Sequence, residues 1–376
     1  MKALVVTPYY HPKIGGLEIY ARQLGIALRD IKKWEIVVVT SNHEGRKTVV
    51  DTVDGMTVYR LGTWFKLSNT PIGLLWPLQI RNIIRREKPN LVLAHAPVPS
   101  MADAAAVAVG KTPLLLIYHA ATLIKGDSPL FNAVAHIYGI FQKFTFSRAT
   151  KILAVSDYVK TSLGPKLASK TLVLPNAVWK RDITQRQQPQ GAHFLFVGSL
   201  DRTHAWKGLD DIIDATALFR DKFGTNFTLT VMGDGNDRAR YEARVQQANL
   251  SGQVTFLGQQ TGEAKDAAFK QASALVMYPT TANDAFPTVM IEAWAKGVPV
   301  IGASIGPIPS LLNDKQDGYL VKPHDPTALA ATLYTVAVSS TEERNSIAAA
   351  GAQRVRDSYT WEYQAERLAA IAQEVL

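Results

Sequence analysis

The stretch FVGSLDRTHAWKGLDDIIDA, residues 196–215, contains a strand, a loop and the start of a helix in direct succession. Its apolar run ends near Gly198, and a polar loop follows. A helix is predicted from about Leu209, because Asp210 and Asp211 suit the positive end of a helix dipole. Strand, loop and helix in this order form the repeating unit of α/β folds, so the stretch predicts that class.

Similar strand patterns recur on both sides of this stretch. Such continuous apolar runs are typical of strands buried on both faces of a parallel sheet. In the first half they are KALVVTP, EIVVVTS, NLVLAHA, PLLLIYH, KILAVS and TLVLPN, and in the second half HFLFVGS, FTLTVMG, QVTFLG, ALVMYP and VPVIGA. With 376 residues the chain exceeds one ordinary core, so two domains are predicted.

The predicted domain boundary is the polar, aperiodic segment 180–192, KRDITQRQQPQGA, which is interpreted as a linker. It separates a first domain of residues 1–179 from a second domain of residues 193–356. Residues 357–376 form a helical pattern with no strand after it. Two doubly wound, Rossmann-like domains would face each other across a cleft and bind ligands at the carboxyl ends of their strands.

Composition excludes several classes of protein. Apolar residues make up 47% and charged residues 19%, which indicates a globular chain. The absence of cysteine excludes disulfides and cysteine chemistry. Neither a signal peptide nor an apolar run of about 18 residues is found. We therefore expect a cytoplasmic protein that is soluble or attached peripherally to the inner face of the membrane.

Charge is distributed unevenly, since residues 1–180 hold 23 Lys and Arg against 10 Asp and Glu. Such a half attracts anionic partners, among them a membrane surface or a phosphorylated substrate. No nucleic-acid motif accompanies it, so nucleic acid is not predicted as a partner. Surplus lysines that serve solubility are the alternative.

Two aromatic segments, 62–88 and 128–149, occur in this basic half. The second places Leu130, Val134, Ile137, Phe141 and Phe144 on one helical face, and the first combines Trp64, Phe65 and Trp76 with basic residues. Both segments could touch a membrane interface. Packing onto the first domain is the favoured expectation for most of these side chains.

Lys207 lies just before the predicted helix, at the end that disfavours a cation. It therefore needs an anion nearby. Asp210 or Asp211 could supply that anion, and the alternative is a substrate phosphate shared with Arg202.

Other candidate residues lie where predicted strands end. Gly15 and Gly16 precede a helix, where backbone N–H groups can bind an anion, and Gly233 lies in the turn MGDGND. His119 ends a strand at the predicted cleft. Each of these features is also compatible with a plain turn or a structural histidine. No Asp-x-Asp pair or histidine cluster is found, so no metal site is predicted.

The stretch DAFPTVMIEAWAKG, residues 284–297, predicts a helix from Pro287 to Lys296 that is covered on most sides. A carboxylate at Glu292 then needs a partner. That partner is either Lys296, at the i,i+4 position, or a ligand hydroxyl. Asp284 would lie in the loop before the helix and could face the same cavity.

Together these residues resemble a retaining glycosyltransferase of family 4, with the two-domain GT-B fold. The likeness covers essentially the whole chain. It is carried by GGLEIYARQLGIAL, LAVSDYVKTSL, VLPNAV, GSLDRTHAWKGLDDIIDA and the DAFPTVMIEAWAKG stretch, in this order.

The resemblance implies roles for the candidate residues. Glu292 would hold the ribose hydroxyls of a nucleotide sugar, and Asp284, which replaces the usual glutamate, would lie near the transferred sugar. Lys207 matches the family's lysine on the leaving diphosphate. Further residues implied at the donor are Gly15, Gly16, Ser199, Arg202, Gly233, Phe286, Thr288 and Val289.

Besides Asp284, three further positions depart from the family pattern. Ser199 stands where an arginine is usual, which leaves Arg202 as the candidate replacement. Pro287 replaces a common glycine, so that the N–H groups of Thr288 and Val289 remain as donors. Ser310 stands where a glutamate is frequent. His119 matches a histidine on the acceptor side of the cleft. The resemblance also implies that the terminal helix, residues 357–376, crosses back onto the first domain.

The predicted function is metal-independent transfer of a hexose from a nucleotide diphosphate sugar to an acceptor hydroxyl, with retention of configuration and no cofactor. The acceptor would be a glycan, a lipid or a lipid-linked saccharide. The alternatives are a nucleotide-sugar 2-epimerase and a non-catalytic, membrane-associated protein of the same fold.

Overall fold

The computed structural model describes residues 1–13, 15–67, 70–122, 129–184, 186, 188–224 and 226–376, with the backbone alone for 67 and 129–135. The chain divides into two compact units. The first unit comprises Met1–Asn176 and Trp361–Leu376, and the second comprises Ala177–Thr360.

The first unit is built on an eight-stranded sheet with the order β10-β9-β8-β7-β1-β2-β4-β3, in which only β3 runs antiparallel to its neighbour. Its elements are β1 (Lys2–Val6), α1 (Gly16–Lys32), β2 (Glu35–Asn42), β3 (Val49–Val53), β4 (Met56–Gly62), β5 (Phe65–Leu67), β6 (Thr70–Ile72), α2 (Trp76–Glu87), β7 (Leu91–Ala96), α3 (Met101–Ala108), β8 (Leu114–Tyr118), α4 (Pro129–Arg148), β9 (Lys151–Ala154), α5 (Asp157–Ser162), α6 (Pro165–Ala168) and β10 (Thr171–Val173).

The second unit is built on a six-stranded parallel sheet with the order β13-β12-β11-β14-β15-β16. Its elements are β11 (Ala192–Val197), α7 (Leu209–Phe223), β12 (Phe227–Met232), α8 (Arg238–Gln247), β13 (Val254–Gly258), α9 (Gly262–Gln271), β14 (Ala274–Met277), α10 (Thr288–Ala295), β15 (Val300–Ala303), α11 (Ile308–Leu311), β16 (Gly318–Val321), α12 (Pro326–Val338) and α13 (Thr341–Ser358). The final helix, α14 (Trp361–Val375), packs against α1 of the first unit.

The eleven apolar runs singled out in the sequence all contain strands of the two sheets. The hairpin of β3 and β4 was not predicted. Its turn is Asp54–Gly55, with φ of 50° and 73°. Asp-Gly is a preferred dipeptide for a tight hairpin turn, so a sequence signal for this hairpin was present.

The segment predicted as a linker, residues 180–192, lies inside the second unit. The guanidinium of Arg186 donates hydrogen bonds to the carbonyl oxygens of Lys270, Ala272 and Gly297 at 2.6, 2.5 and 3.1 Å. Burial lowers the pKa of Arg186 to about 10. A polar, aperiodic sequence is thus fixed to the unit by one side chain that satisfies carbonyls at the ends of α9 and α10. The division between the units falls earlier, between Asn176 and Ala177.

The expectation that the aromatic segments pack onto the first domain is wrong for several side chains. Ile137, Phe141 and Phe144 on α4 are 57%, 66% and 49% exposed, and Trp64 and Phe65 are also exposed. Trp76, by contrast, is buried and donates to the carbonyl of Gly62. The side chains of Leu130 and Val134 lie outside the described residues. In the part of the chain that the structure describes, no helix is long and apolar enough to cross a bilayer.

Candidate functional site

A cavity of about 230 Å³ opens in the second unit at the carboxyl ends of β11 and β14. This edge of a parallel sheet is where doubly wound folds bind ligands. The cavity brings together five of the predicted site residues. They are Lys207, Asp284, Phe286, Thr288 and Val289, and Trp206, Met277, Pro279 and Pro287 are among the other lining residues.

Two glycines let the loops at this edge approach each other closely. Gly233 has a φ of 151°, and a Cβ there would lie 1.8 Å from the carbonyl oxygen of Gly198. Gly208 has a φ of 78°, and a Cβ there would lie 1.9 Å from the carbonyl oxygen of Tyr278. Any larger residue would clash with backbone at either position, so Gly233 shapes the site without lining the cavity.

Lys207 ends a 3₁₀ turn, Arg202–Lys207, and its ammonium lies 4.9 Å from the centroid of the Trp206 ring. The alternative in which a neighbouring aspartate neutralises it is wrong. Asp210 pairs with Arg240 at 2.8 Å, and Asp211 lies 3.7 Å from the imidazole of His324. Among the residues that the structure describes, Lys207 has no carboxylate partner. A cation at the rim of a cavity is therefore available to an external anion.

Ser199 and Arg202 do not line the cavity. The hydroxyl of Ser199 donates to Asp201 at 2.9 Å, and Asp201 also accepts from the N–H of Asn236, which holds the two loops together. The backbone N–H of Arg202 donates to the Asn236 side chain at 2.9 Å, while the residue is exposed. Arg202 would have to reach inward to contact a ligand in the cavity.

The loop before α10 presents Asp284 to the cavity. Its carboxylate accepts the N–H of Phe286 at 3.2 Å. The N–H of Thr288 donates to the carbonyl of Phe286 at 3.0 Å, so the expected donor at this position already has a partner inside the loop. Pro287 caps the helix without a side-chain hydrogen bond.

Glu292 lies on α10 one turn after Thr288 and hence on the same helical face. The alternative in which Lys296 pairs with Glu292 is wrong. Lys265 on α9 contacts both carboxylate oxygens of Glu292 at 2.9 Å, and Lys296 pairs instead with Asp266 at 3.2 Å. Glu292 keeps 29% of its side chain exposed and does not line the cavity itself. Lys265 was missed because sequence spacing cannot indicate a pair between two helices.

In the first unit, Gly15 and Gly16 lie at the start of α1. They are the two residues predicted to contact a phosphate. The carboxylate of Glu18, which is 92% buried, folds back over this turn. A Cβ on Gly15 would lie 2.4 Å from its Oε2 atom. A negative charge thus already occupies the positive end of the helix, and an incoming phosphate would have to displace it.

His119 follows β8, and the structure adds a second histidine that the sequence reasoning missed. His95 in the neighbouring strand β7 lies with its Nδ1 atom 3.0 Å from Nε2 of His119. Tyr20 contacts both rings edge-on and donates its hydroxyl to the carbonyl of Leu174. The signal was the parallel pair NLVLAHA and PLLLIYH, because adjacent strands that end together bring their last side chains together.

Burial lowers the pKa of His119 to about 3, and burial together with His119 lowers the pKa of His95 well below its usual value. Both rings are therefore neutral near pH 7. One ring donates and the other accepts in the bond between them, so the tautomer of one histidine fixes that of the other.

A second cavity, of about 340 Å³, lies in the first unit and is basic. It is lined by Tyr9, Pro12, Lys13, His43 and Lys66. The ammonium of Lys13 lies 3.2 Å above the Tyr9 ring, and burial lowers the pKa of Lys13. These residues come from three separate segments of the sequence and were not predicted as a group.

Known proteins were compared with the chain. An uncharacterized glycosyltransferase of Methanocaldococcus jannaschii is 26% identical over 96% of this chain and 95% of its own length. The phosphatidyl-myo-inositol mannosyltransferase of Mycobacterium leprae is 26% identical over 75% of this chain and 72% of its own length.

Among solved structures, the sucrose-phosphate synthase of Thermosynechococcus elongatus aligns with a TM-score of 0.78 at 20% identity, over 100% of this chain and 98% of its own. HepE of Anabaena in complex with UDP aligns with a TM-score of 0.75 at 18% identity, over the whole of both chains. The predicted GT-B fold is thus confirmed, with two Rossmann-like halves on parallel sheets.

The profile described as Glycosyltransferase Family 4 matches residues 14–178, and that described as Glycosyl transferases group 1 matches residues 181–354. The chain belongs to the family 4 glycosyltransferases, as its sequence motifs indicated. Proteins that act in glycolipid and glycan biosynthesis are among its relatives.

Proposed function

We propose that the protein transfers a hexose from a nucleotide diphosphate sugar to a hydroxyl of a lipid or lipid-linked saccharide, with retention of configuration and without a metal ion. The observation that carries this proposal is the cavity at the carboxyl end of the second sheet, whose lining includes both Lys207 and Asp284. HepE, of the same fold, holds UDP in its solved structure, and the M. leprae relative is named for a phosphatidylinositol acceptor.

Lys207 would serve the leaving diphosphate. As the bond between the anomeric carbon and the phosphate oxygen breaks, negative charge grows on the diphosphate, and a nearby ammonium stabilises that charge. Lys207 has no carboxylate among its described neighbours that would compete for it. Arg202, exposed on the same 3₁₀ turn, would add a second cation once it turns toward the donor.

Asp284 and Glu292 would bind sugar hydroxyls at two points of the donor. A carboxylate accepts hydrogen bonds from two adjacent hydroxyls, and ribose offers such a pair. Thr288 lines the cavity, and Glu292 lies one turn later on α10. The donor would extend along this face of α10, from the transferred hexose to the ribose. Lys265 holds the Glu292 carboxylate by both oxygens and would orient it.

The acceptor would bind to the first unit. Neutral His119 would exchange hydrogen bonds with a sugar or acceptor hydroxyl, and His95 would position it. The basic cavity of Lys13, His43 and Lys66 suits a phosphate on the acceptor.

Release of nucleoside diphosphate from a panel of nucleotide sugars tests the proposal, with and without a membrane lipid extract and with EDTA present. We expect acceptor-dependent release, insensitivity to EDTA and a product of unchanged anomeric configuration by NMR. Lys207→Ala should lower kcat about 100-fold, because it removes a cation from the developing charge. The exposed Lys222→Ala is the matched control.

Three outcomes would contradict parts of the proposal. Release of nucleotide without any acceptor, with an epimerised sugar as product, would indicate a 2-epimerase. Loss of activity with EDTA that Mg²⁺ restores would refute metal independence. No release with any donor, while a donor still raises the melting temperature, would indicate a non-catalytic protein.

A further inference from the structure

The helix α4 of the first unit turns three polar side chains, Tyr138, Gln142 and Thr145, inward. Gln142 and Thr145 are 4% and 1% exposed. The hydroxyls of Tyr138 and Thr145 both donate to the carboxylate of Asp103 on α3, and the hydroxyl of Tyr118 donates to Gln142 at 3.2 Å. A polar network therefore attaches α4 to the unit. An amphipathic helix normally packs on its domain through its apolar face instead.

Four apolar side chains of α4 point outward instead. Ile137, Ile140, Phe141 and Phe144 are 57%, 65%, 66% and 49% exposed. Their spacing of i, i+3, i+4 and i+7 places all four on one helical face. Single exposed apolar residues are ordinary, but a contiguous set on one face marks an interaction surface.

A second group of exposed apolar residues lies on the same side of the sheet. α2, α3 and α4 pack side by side in one layer. Leu74, Leu75 and Leu78 at the start of α2 are 65%, 46% and 60% exposed, and Trp64 and Phe65 precede them. In a right-handed crossover the start of such a helix lies at the carboxyl ends of the strands, so this group borders the ligand-binding edge.

The surface is basic as well as apolar. Lys66, Arg81, Arg85, Arg86 and Lys143 are exposed within these two groups. No Asp or Glu occurs in residues 55–86 or in residues 128–156. We call the exposed residues of 64–86 and 137–144 together the α2–α4 surface.

We propose that the α2–α4 surface docks on an anionic lipid bilayer, with its aromatic and aliphatic side chains in the interface and its basic side chains at the headgroups. Aromatic and basic residues on one helical face are typical of interfacial binding. Pairing with a second copy of the chain would place two acid-free, basic surfaces together, which like-charge repulsion opposes. The inference rests on the proposed function in one respect, the lipid-linked acceptor. Docking on the bilayer would bring that acceptor to the ligand-binding edge of the first sheet.

Sedimentation of the full-length protein with vesicles tests the inference. We expect binding to vesicles of phosphatidylcholine with phosphatidylglycerol at 3:1, at least tenfold weaker binding to pure phosphatidylcholine, and weaker binding at 0.5 M salt, which screens surface charge. Equal binding to both vesicles, or no binding to either, would overturn it.

Substitutions assign the binding to this surface. Phe141→Glu should weaken binding to the anionic vesicles at least tenfold, and Arg85→Glu about fivefold or more, since each basic residue near an anionic surface contributes that order of affinity. The controls are Val338→Glu and Lys222→Glu in the second unit, which are similarly exposed and should leave binding unchanged. A concentration-dependent dimer that Phe141→Glu abolishes, with vesicle binding intact, would show that the surface joins two copies.

Nucleotide release from the donor in the presence of a detergent-solubilised membrane lipid extract, without vesicles, separates this inference from the proposed function. A Phe141→Glu variant that loses vesicle binding but keeps wild-type nucleotide release with the solubilised extract supports the docking surface. A wild-type protein that binds anionic vesicles but releases no nucleotide from any donor would refute the proposed function and leave the docking surface standing.

Discussion

At the scale of single residues, Glu292 is the position whose interpretation the structure changed most. The carboxylate is held by Lys265 from another helix, at 2.9 Å to each oxygen, and not by Lys296. An ion pair of this half-exposed kind contributes little to stability on its own. A ligand role and a structural role can therefore be separated by changing each partner in turn.

We expect Glu292→Ala to raise the donor KM about tenfold or more, because it removes a charged acceptor of hydroxyl hydrogen bonds. Lys265→Met keeps the carboxylate and should change the KM by far less. Steady-state kinetics with the donor identified by screening measures both. Equal effects of the two variants would mean that Glu292 acts only through its ion pair.

At the scale of elements, α10 connects the site to the body of the second unit. One face carries Thr288 and Glu292, and the other carries Trp294, which is fully buried and donates to the carbonyl of Asp317 at 2.7 Å. The indole lies against Gly351 of α13, where a Cβ would come within 2.2 Å of Cδ1 of Trp294. The position of the site residues thus depends on a contact between two helices far from the cavity.

Gly351→Ala should lower the free energy of unfolding by about 1–3 kcal/mol, since overpacking against a buried ring outweighs the gain in helix propensity. Gly252→Ala, where a Cβ meets nothing within 4 Å, is the control and should be near neutral. Urea unfolding monitored by tryptophan fluorescence measures the difference. A stabilised Gly351→Ala variant would contradict the packing described for α10 and α13.

At the scale of the whole molecule, the neutral histidine pair makes the stability of the first unit depend on pH. The pKa of His119 is about 3 in the folded unit and near 6.5 when unfolded, so between these values the unfolded chain binds more protons. Stability is then fully present above pH 6.5 and falls as the pH drops toward 3. His95, whose pKa is also lowered, contributes in the same direction.

We expect the free energy of unfolding to fall by about 1–2 kcal/mol between pH 6.5 and 5 through His119 alone. His119→Gln should reduce this slope, and the exposed His11→Gln should leave it unchanged. Denaturant unfolding is measured at several pH values. Hydrogen exchange of the α1 amides, measured under the same conditions, reports on the first unit. The same slope in His119→Gln and wild type would exclude the pair as its cause.

Sequence by itself determined the class of fold and five of the residues that line the cavity of the second unit. Strand runs, the glycine at a strand end and the acids in a first helical turn are local signals, because backbone conformation and burial on both faces impose them on neighbouring residues. They placed Lys207 and Asp284 near one edge, the family resemblance added Thr288, and all three line the cavity. The family assignment followed from the order of the same motifs.

Only the tertiary structure decided the partners of these residues. Lys265 beside Glu292, His95 beside His119 and Glu18 over Gly15 are contacts made by folding, which spacing along the chain does not encode except within one helix turn. The orientation of the apolar face of α4 was likewise decided by tertiary contacts. The periodicity of that face is visible in the sequence, but the face that turns inward is the one that donates hydrogen bonds to Asp103 of another helix, because a partly buried carboxylate needs such donors.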